Sequence, residues 1–441
     1  MKHVLVLGAG SVARPLVHYL LKRPQTRVDV ASRTLAKAQR LVAGFDNGSA
    51  SGIDVEQPGD LQAAVGRADV VISLLPWVHH LMVARQCLAQ GRHLITTSYV
   101  KPEMQDLDAQ VREKGLLFLN EIGVDPGIDH MAAMQIIDRV KAAGGTIESF
   151  YSYCGGLPSL SSNTNPFGYK FSWSPTGMLL AALNDGRYLR DGQVVEVPSS
   201  ELFTHYWLLD VPGAGVFEAH INRDALPYRE LYGIPDVGSM YRGTLRNVSH
   251  CESWYCFRRL GLLDQERLFD LDRLSPRDVL AAQIDSDGSA LEADLAAFLQ
   301  VPLHSVTLKK MQWLGLLDDR SLGLGRGSAF DVFAHLLQQK LVYAENEVDL
   351  LVQQHEFIAR YEDGRRRIVS TLVDTGIPGG DSSMSRTVGL PAAIATRLLL
   401  DGRLNMTGVR IPVTAEFYTP VLTLLAEEDI RLSETETDLE G

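Results

Sequence analysis

The feature that most constrains this chain is a glycine turn close to its start. An apolar run from Val4 to Leu7 leads directly into Gly8-x-Gly10-x-x-Ala13, and helical periodicity follows. In dinucleotide-binding folds the first glycine makes a tight bend, the second lets the backbone approach a pyrophosphate, and the third position needs a small residue for packing. Alanine meets that last need. The turn therefore predicts a strand–turn–helix unit for a dinucleotide, against the alternative of a glycine turn in another α/β fold.

The end of the second predicted strand indicates which dinucleotide binds. Sites selective for NAD usually place an Asp or Glu about 20 residues beyond the turn, where it holds the ribose 2′-hydroxyl. Here that position reads Ser32-Arg33-Thr34, without an acid. Two hydroxyls and a guanidinium suit a 2′-phosphate, so we predict NADP(H) rather than NAD(H). The alternative is that Arg33 is a solvated surface residue.

The N-terminal part of the chain alternates short apolar strands with amphipathic helices, which is typical of a doubly wound parallel sheet. The strands are predicted at about 3–7, 27–31, 50–54, 69–74, 93–97 and 116–120. In such sheets the ligand lies beyond the carboxyl ends of the strands. We therefore expect the site to be lined by the strand tips, with Asp54 and Val55 beside the adenine and Leu75, Thr97, Ser98 and Tyr99 further along.

The pattern changes at a Gly/Pro-rich hinge that precedes a predicted helix over 130–142. Later strands, predicted at 146–154, 194–198, 215–222, 239–247, 350–361 and 366–374, favour a mixed sheet. We predict an α/β chain in three parts: a Rossmann domain over 1–125, to which 389–425 returns; an α+β mixed-sheet domain over 126–251 and 346–388; and an all-helical insert over 252–345.

Composition excludes several classes of protein. The net charge of −12 and the absence of a basic run argue against nucleic-acid binding. No apolar run approaches the ~18 residues of a membrane span, and strand one leaves no room for a signal peptide, so we expect a cytoplasmic protein with no membrane contact. Four cysteines do not make a disulfide framework. The spacing of His250, Cys251 and Cys256 matches no standard zinc pattern, so no metal is predicted.

A nicotinamide site usually needs a proton-transfer group within hydrogen-bond reach of the reacting atoms. Two strand-tip segments offer one, at Tyr99 and Asp125. Each has a structural alternative. Tyr99 could be a packing residue, and Asp125 directly before Pro126 could be the N-cap of the helix that follows. Further along, Arg223 and Arg246 could each clamp a carboxylate, or could be solvated surface arginines.

Several long segments together resemble the NADP-dependent, L-glutamate-forming saccharopine dehydrogenases, also called saccharopine reductases. The resemblance covers most of residues 3–250 and is looser beyond about 255. Besides the glycine turn, it is carried by the segments 31–35, 70–76, 97–99, 120–130, 152–158, 168–174 and 242–246. The long central segments are far more specific than the turn.

The resemblance implies roles for individual positions. It implies that saccharopine contacts Ser98, Tyr99, Asp125, Arg223, Thr244, Leu245 and Arg246, with Tyr99 and Asp125 as the catalytic pair. It implies cofactor contacts at Ser11, Val12, Ala13, Ser32, Arg33, Thr34, Asp54, Val55, Leu75, Thr97 and Ser174, beside Gly8 and Gly10. It also implies that the α+β domain over 126–251 and 346–388 binds substrate and mediates dimerisation, so that the protein is a homodimer.

The implied reaction joins the amine of L-glutamate to L-2-aminoadipate 6-semialdehyde as an imine, which hydride from NADPH reduces to saccharopine in lysine metabolism. Proton transfer is needed when the carbinolamine forms and loses water. The sequence leaves open which of Tyr99 and Asp125 is the acid. Two alternatives stay open as well: a related imine-reducing enzyme such as a carboxynorspermidine dehydrogenase, and a nucleotide-sensing protein without catalysis.

Overall fold

The computed structural model describes residues 1–440, which form two compact units. The first unit is Met1–Ile147 with the chain from Ala359 onward, and the second is Glu148–Ile358. These bounds differ from the predicted domain bounds. The predicted helical insert, 252–345, lies wholly within the second unit, so the division into three parts stays a prediction.

The first unit contains a seven-stranded parallel sheet with the order β17-β6-β5-β4-β1-β2-β3. Its strands are β1 (Lys2–Leu7), β2 (Thr26–Ser32), β3 (Gly48–Gly52), β4 (Val70–Ser73), β5 (His93–Thr96), β6 (Leu117–Leu119) and β17 (Gly408–Arg410). All six strands predicted for the N-terminal part are present. The predicted Rossmann sheet is therefore confirmed, and strand β1 lies in its interior, between β4 and β2, where Val4 to Leu7 are apolar on both faces and fully buried.

Helices cover this sheet. They are α1 (Ala13–Leu21), α2 (Leu35–Val42), α3 (Pro58–Gly66), α4 (His80–Gln90), α5 (Pro102–Gln105), α6 (Asp108–Glu113), α7 (Ile128–Ala142), α15 (Ser383–Leu400) and α16 (Ala415–Glu427). The same unit holds the antiparallel pair β16 (Gly364–Thr375) and β18 (Leu432–Leu439).

Two helix starts differ from what the sequence predicts. Helix α7 begins at Ile128 with Gly127 as its N-cap, so the N-cap interpretation of Asp125 is wrong. The sequence from Gly389 to Leu400 predicts a final helix. Helix α15 instead begins at Ser383, because the Ser382 hydroxyl accepts a hydrogen bond from the Ser385 N–H and caps it there. Pro391 lies inside that helix instead of opening it.

The second unit contains a mixed sheet, as predicted. Strands run in the order β10-β11-β12-β7-β15; β12 pairs parallel with β7 and antiparallel with β11, and β8 and β9 form a side branch from β12. The strands are β7 (Thr146–Pro158), β8 (Gly186–Arg190), β9 (Gln193–Val197), β10 (Tyr206–Val211), β11 (Gly215–Ile221), β12 (Ser239–Asn247) and β15 (Asp349–Tyr361).

The remaining elements of this unit are mostly helical. They are α8 (Pro175–Ala181), α9 (Pro227–Leu231), α10 (His250–Arg259), α11 (Pro276–Gln283), α12 (Leu291–Leu299), α13 (Val306–Leu314), α14 (Ala329–Lys340) and the small pair β13 (Leu268–Asp270) and β14 (Arg326–Ser328). Within residues 1–440 no helix has the length and apolar character to cross a bilayer.

Candidate active site

The glycine turn has the backbone that a pyrophosphate requires. Gly8 has φ +111°, and a Cβ there would lie 3.0 Å from the carbonyl oxygen of Leu74. A larger residue is therefore disfavoured both by the backbone conformation and by the close approach. A Cβ on Gly10 would meet nothing within 4 Å, which leaves open space beside the turn. Helix α1 then starts at the fully buried Ala13 and has no acid in its first turn. An anion is favoured at such a helix start.

The tip of β2 offers one uncommitted cation. Arg33 is exposed, and within residues 1–440 its guanidinium makes no hydrogen bond or ion pair. The neighbouring Ser32 hydroxyl accepts a hydrogen bond from the Thr34 N–H at 3.2 Å, which fixes the short turn that carries Arg33. At the tip of β3, the Asp54 carboxylate accepts from the Glu56 N–H at 3.1 Å. Val55 packs into the hydrophobic core, so its side chain is not available to a ligand.

The structure pairs the two predicted catalytic side chains. The Tyr99 hydroxyl donates a hydrogen bond to Asp125 Oδ1 at 2.9 Å. Tyr99 follows strand β5 and Asp125 follows strand β6, and these two strands are neighbours in the sheet. Their adjacency explains why residues 26 positions apart meet.

A residue that the sequence analysis missed holds the backbone on both sides of Tyr99. Glu121 is 4% exposed, its N–H donates to the Ser98 carbonyl at 3.1 Å, and its Oε1 accepts from the Val100 N–H at 2.9 Å. Its Oε2 lies 2.8 Å from Nε2 of the buried His130. Glu121 also has φ +57°, an unusual conformation for a non-glycine residue. No local sequence pattern reveals this role, because it depends on the register between two loops.

Ser98 is held by a second missed residue, His80. Its ring is buried at the start of α4, with Nε2 2.8 Å from the Ser98 hydroxyl and Nδ1 2.9 Å from the Ser73 hydroxyl. Burial lowers the pKa of His80 to about 4, so the ring is neutral at physiological pH. The Thr96 hydroxyl lies 3.1 Å from the same Nε2, so a neutral imidazole orients three hydroxyls without adding charge.

The second unit carries the other predicted site residues. Arg223, Thr244 and Arg246 line one small cavity between β11, β12 and α10. Leu245 is fully buried in the core and does not line that cavity. Ser174 caps helix α8, where its hydroxyl accepts a hydrogen bond from the Gly177 N–H at 3.1 Å.

The two units therefore divide the predicted site residues between them. The glycine turn, Ser32 to Thr34, Asp54, Val55, Leu75, Thr97 to Tyr99 and Asp125 belong to the first unit, and Ser174, Arg223 and Thr244 to Arg246 belong to the second. Within residues 1–440 no three His, Cys, Asp or Glu side chains are gathered as a metal ion would require.

Comparison with known proteins adds independent information. Residues 4–119 match the family model of the saccharopine dehydrogenase NADP binding domain, and residues 123–430 match that of the saccharopine dehydrogenase C-terminal domain. The chain is 37% identical over 453 residues to the saccharopine dehydrogenase [NADP(+), L-glutamate-forming] of Schizosaccharomyces pombe, with all of both chains covered.

Other relatives carry the same name or match over nearly the whole of this chain. Identity to the enzyme of the same name from Saccharomyces cerevisiae is 36%, covering 97% of each chain. Identity to the mitochondrial alpha-aminoadipic semialdehyde synthase of Bos taurus is 35%, covering 97% of this chain and 47% of that protein. Among solved structures, apo saccharopine dehydrogenase (L-Glu forming) from Saccharomyces cerevisiae superposes with a TM-score of 0.91 at 34% identity, covering 99% of this chain and 100% of that one.

Proposed function

We propose that this chain, which belongs to the saccharopine dehydrogenase family, interconverts saccharopine with L-glutamate and L-2-aminoadipate 6-semialdehyde in lysine metabolism, using NADP(H). The observation that carries the proposal is the similarity to L-glutamate-forming enzymes over the whole of both chains. The Tyr99–Asp125 pair and the unshared Arg33 cation agree with it, because they supply the proton-transfer and phosphate-binding groups that this chemistry needs.

The residues of the first unit fit NADP(H). The open backbone at Gly10 and the start of α1 would hold the pyrophosphate, and Arg33 with Ser32 and Thr34 would hold the 2′-phosphate. Asp54, Leu75 and Thr97 would line the remainder of the cofactor, as would the backbone of Val55. When bound, the cofactor supplies or accepts the hydride at the carbon of the imine bond.

The protons of the reaction are assigned to Tyr99 and Asp125. Condensation of the glutamate amine with the aldehyde gives a carbinolamine, and loss of its hydroxyl as water requires a proton donor. The Tyr99 hydroxyl, bonded to Asp125, can donate that proton and recover it through the carboxylate. Ser98 would bind substrate beside them, with its hydroxyl oriented by His80.

The arginines of the second unit would bind carboxylates. Saccharopine carries three carboxylates, and the protein has a net charge of −12, so its binding site must offset an unfavourable field. Arg246 is buried, and no carboxylate oxygen of residues 1–440 lies within 4.0 Å of its guanidinium. Its guanidinium carbon lies 5.0 Å from the centroid of the Tyr169 ring, which stabilises the cation in part. A ligand carboxylate would supply the charge partner that a buried guanidinium needs.

Assembly and compartment are also proposed. We expect a homodimer, which agrees with the exposed Leu208 on the edge strand β10. Sedimentation equilibrium tests it, and a monomer at micromolar concentration would refute it. We expect a cytoplasmic enzyme, in keeping with four free cysteines. Fractionation of the source cells tests this expectation.

The proposed activity is tested by substrate choice. Initial rates of NADPH oxidation are measured with the semialdehyde and L-glutamate, and in parallel with the same semialdehyde and a diamine. Oxidation of NADPH with the semialdehyde and L-glutamate, but not with the semialdehyde and the diamine, supports the proposal. Oxidation only with the diamine would favour an enzyme of the carboxynorspermidine dehydrogenase type, and tight NADPH binding without oxidation of any pair would favour a nucleotide sensor.

A further inference from the structure

The cavity in the second unit is small and lacks negative charge. Its volume is about 40 Å³, room for about three water molecules, so it fits the head group of a substrate rather than a whole substrate. Its polar lining consists of His220, Asn222, Arg223, Thr244, Arg246 and His250, and none of the residues that line it is an Asp or Glu.

Two buried polar atoms at this cavity have no partner within residues 1–440, and they differ in kind. One is Arg246 Nε, a donor; the only acceptor that its guanidinium reaches is the Leu245 carbonyl, from NH1 at 2.9 Å. The other is His220 Nε2. Both residues are 8% exposed. Buried polar atoms in folded proteins are usually paired with protein, ordered water or a ligand, so these two atoms are open to a ligand that enters the cavity.

The hydrogen bonding of His220 shows that its Nε2 is an acceptor. Nδ1 lies 3.1 Å from the Ile221 carbonyl, which can only accept, so Nδ1 carries the ring hydrogen. Burial, and then the charge of Arg246, lower the pKa of His220 to about 3, so the ring holds no second proton. Nε2 therefore presents a lone pair to the cavity.

We propose that His220 Nε2 accepts a hydrogen bond from the α-ammonium group of the aminoadipate half of the substrate, while Arg246 binds the α-carboxylate of the same half. The proposal rests on the proposed function and assigns to His220 a specificity role for that site. An α-amino acid head group carries a donor group, the ammonium, and an acceptor group, the carboxylate, on the same α-carbon, which matches the two unpaired atoms of the cavity. The lining holds no carboxylate, and His220 Nε2 is a buried acceptor there without a partner within residues 1–440.

His220 suits recognition and not proton transfer. A ring of such low basicity does not remove a proton from an ammonium group, so it marks a nitrogen that stays charged. The reacting nitrogen of saccharopine must exchange protons, which requires a stronger base. The ring is also held in place, because it stacks on His250 with 7° between planes and packs against Phe203.

The test compares two substrates of the oxidative reaction. One is saccharopine, and the other is N-(5-carboxypentyl)-L-glutamate, which is saccharopine without its α-amino group. The kcat/KM of each with NADP+ is measured for the wild type and for His220→Phe, which keeps an aromatic ring and deletes the Nε2 lone pair. The ratio of the two values cancels any general effect on the fold or on the bond to Ile221.

We expect His220→Phe to lower kcat/KM for saccharopine by about 10- to 100-fold and to leave the analogue within about twofold. His220→Gln, which restores an acceptor, should recover part of the preference for saccharopine. Phe203→Leu is the matched control; it alters the packing against the His220 ring without removing a hydrogen-bonding group, and it should change both substrates alike.

An equal loss for both substrates in His220→Phe would overturn the inference, and so would a His220→Gln variant with no more preference than His220→Phe. Failure of the proposed function is seen elsewhere, in a wild-type enzyme that oxidises neither compound. That result would refute the activity and this assignment together.

Discussion

Arg33 gives the sharpest test of the cofactor assignment. Its guanidinium is exposed and makes no hydrogen bond or ion pair within residues 1–440, so Arg33→Ala should leave the fold intact and remove only contacts to a ligand. Hydrogen bonds to charged groups contribute about 1.5–3 kcal/mol each, and exposure reduces that. Taking about 2 kcal/mol for the pair of contacts to the 2′-phosphate, the Kd for NADPH should rise about 30-fold.

The measurement is a fluorescence titration of wild type and Arg33→Ala with NADPH and with NADH. NADH has no 2′-phosphate, so its Kd should change less than about twofold. Arg40→Ala is the matched control, because Arg40 is also exposed, lies on the adjacent helix α2 and makes no hydrogen bond or ion pair within the described chain. Equal weakening of NADPH and NADH in Arg33→Ala would refute the reasoning, because it would show that Arg33 does not contact the 2′-phosphate.

Three further outcomes follow from the site. Each of the variants Tyr99→Phe and Asp125→Asn should lower kcat by about 10²- to 10⁴-fold, with little change in the Kd for NADPH, when measured by stopped flow. An unchanged kcat in both would show that another group transfers the protons. Glu121→Ala leaves the Val100 N–H without its acceptor, so it should lower the free energy of unfolding by about 1–3 kcal/mol in urea titrations and reduce kcat, whereas Glu121→Gln should keep most of both. The pKa of His80 is about 4 in the folded protein and 6.5 in the unfolded one, so the neutral ring contributes fully to stability above pH 6.5 and that contribution is lost as the pH falls to 4. The free energy of unfolding of the wild type should therefore fall between pH 6.5 and 4, and His80→Gln should remove roughly 3 kcal/mol of that fall. An unchanged pH dependence in the variant would contradict this prediction.

Much of the fold was predictable because its signals are local. The parallel strands of the first unit are short apolar runs, and the glycine turn predicts the helix that follows it. Strand β18 was missed because its sequence from Leu432 to Leu439 is polar and largely exposed. It is a strand because it pairs with β16, and its own residue pattern does not predict one. Helix α16 was missed because Pro420 lies inside it, and an internal proline argues against a helix.

The site was predictable where its chemistry is carried by exposed or strand-tip residues. Tyr99 and Asp125 end neighbouring strands, so their meeting could be expected. The residues that orient them could not, because Glu121 and His80 act through buried hydrogen bonds that only the tertiary structure creates. His220 was hidden in the same way, since nothing in its strand distinguishes a core histidine from one with an unpaired nitrogen.

The most direct test of the central claim follows the hydride. NADPH deuterated at C4 of the nicotinamide, in each of its two stereoisomers, is incubated with the enzyme, L-glutamate and L-2-aminoadipate 6-semialdehyde, and the product is analysed by mass spectrometry. We predict saccharopine one mass unit heavier from one stereoisomer and unlabelled from the other. Consumption of NADPH without saccharopine, or saccharopine unlabelled from both, would contradict the proposed reaction.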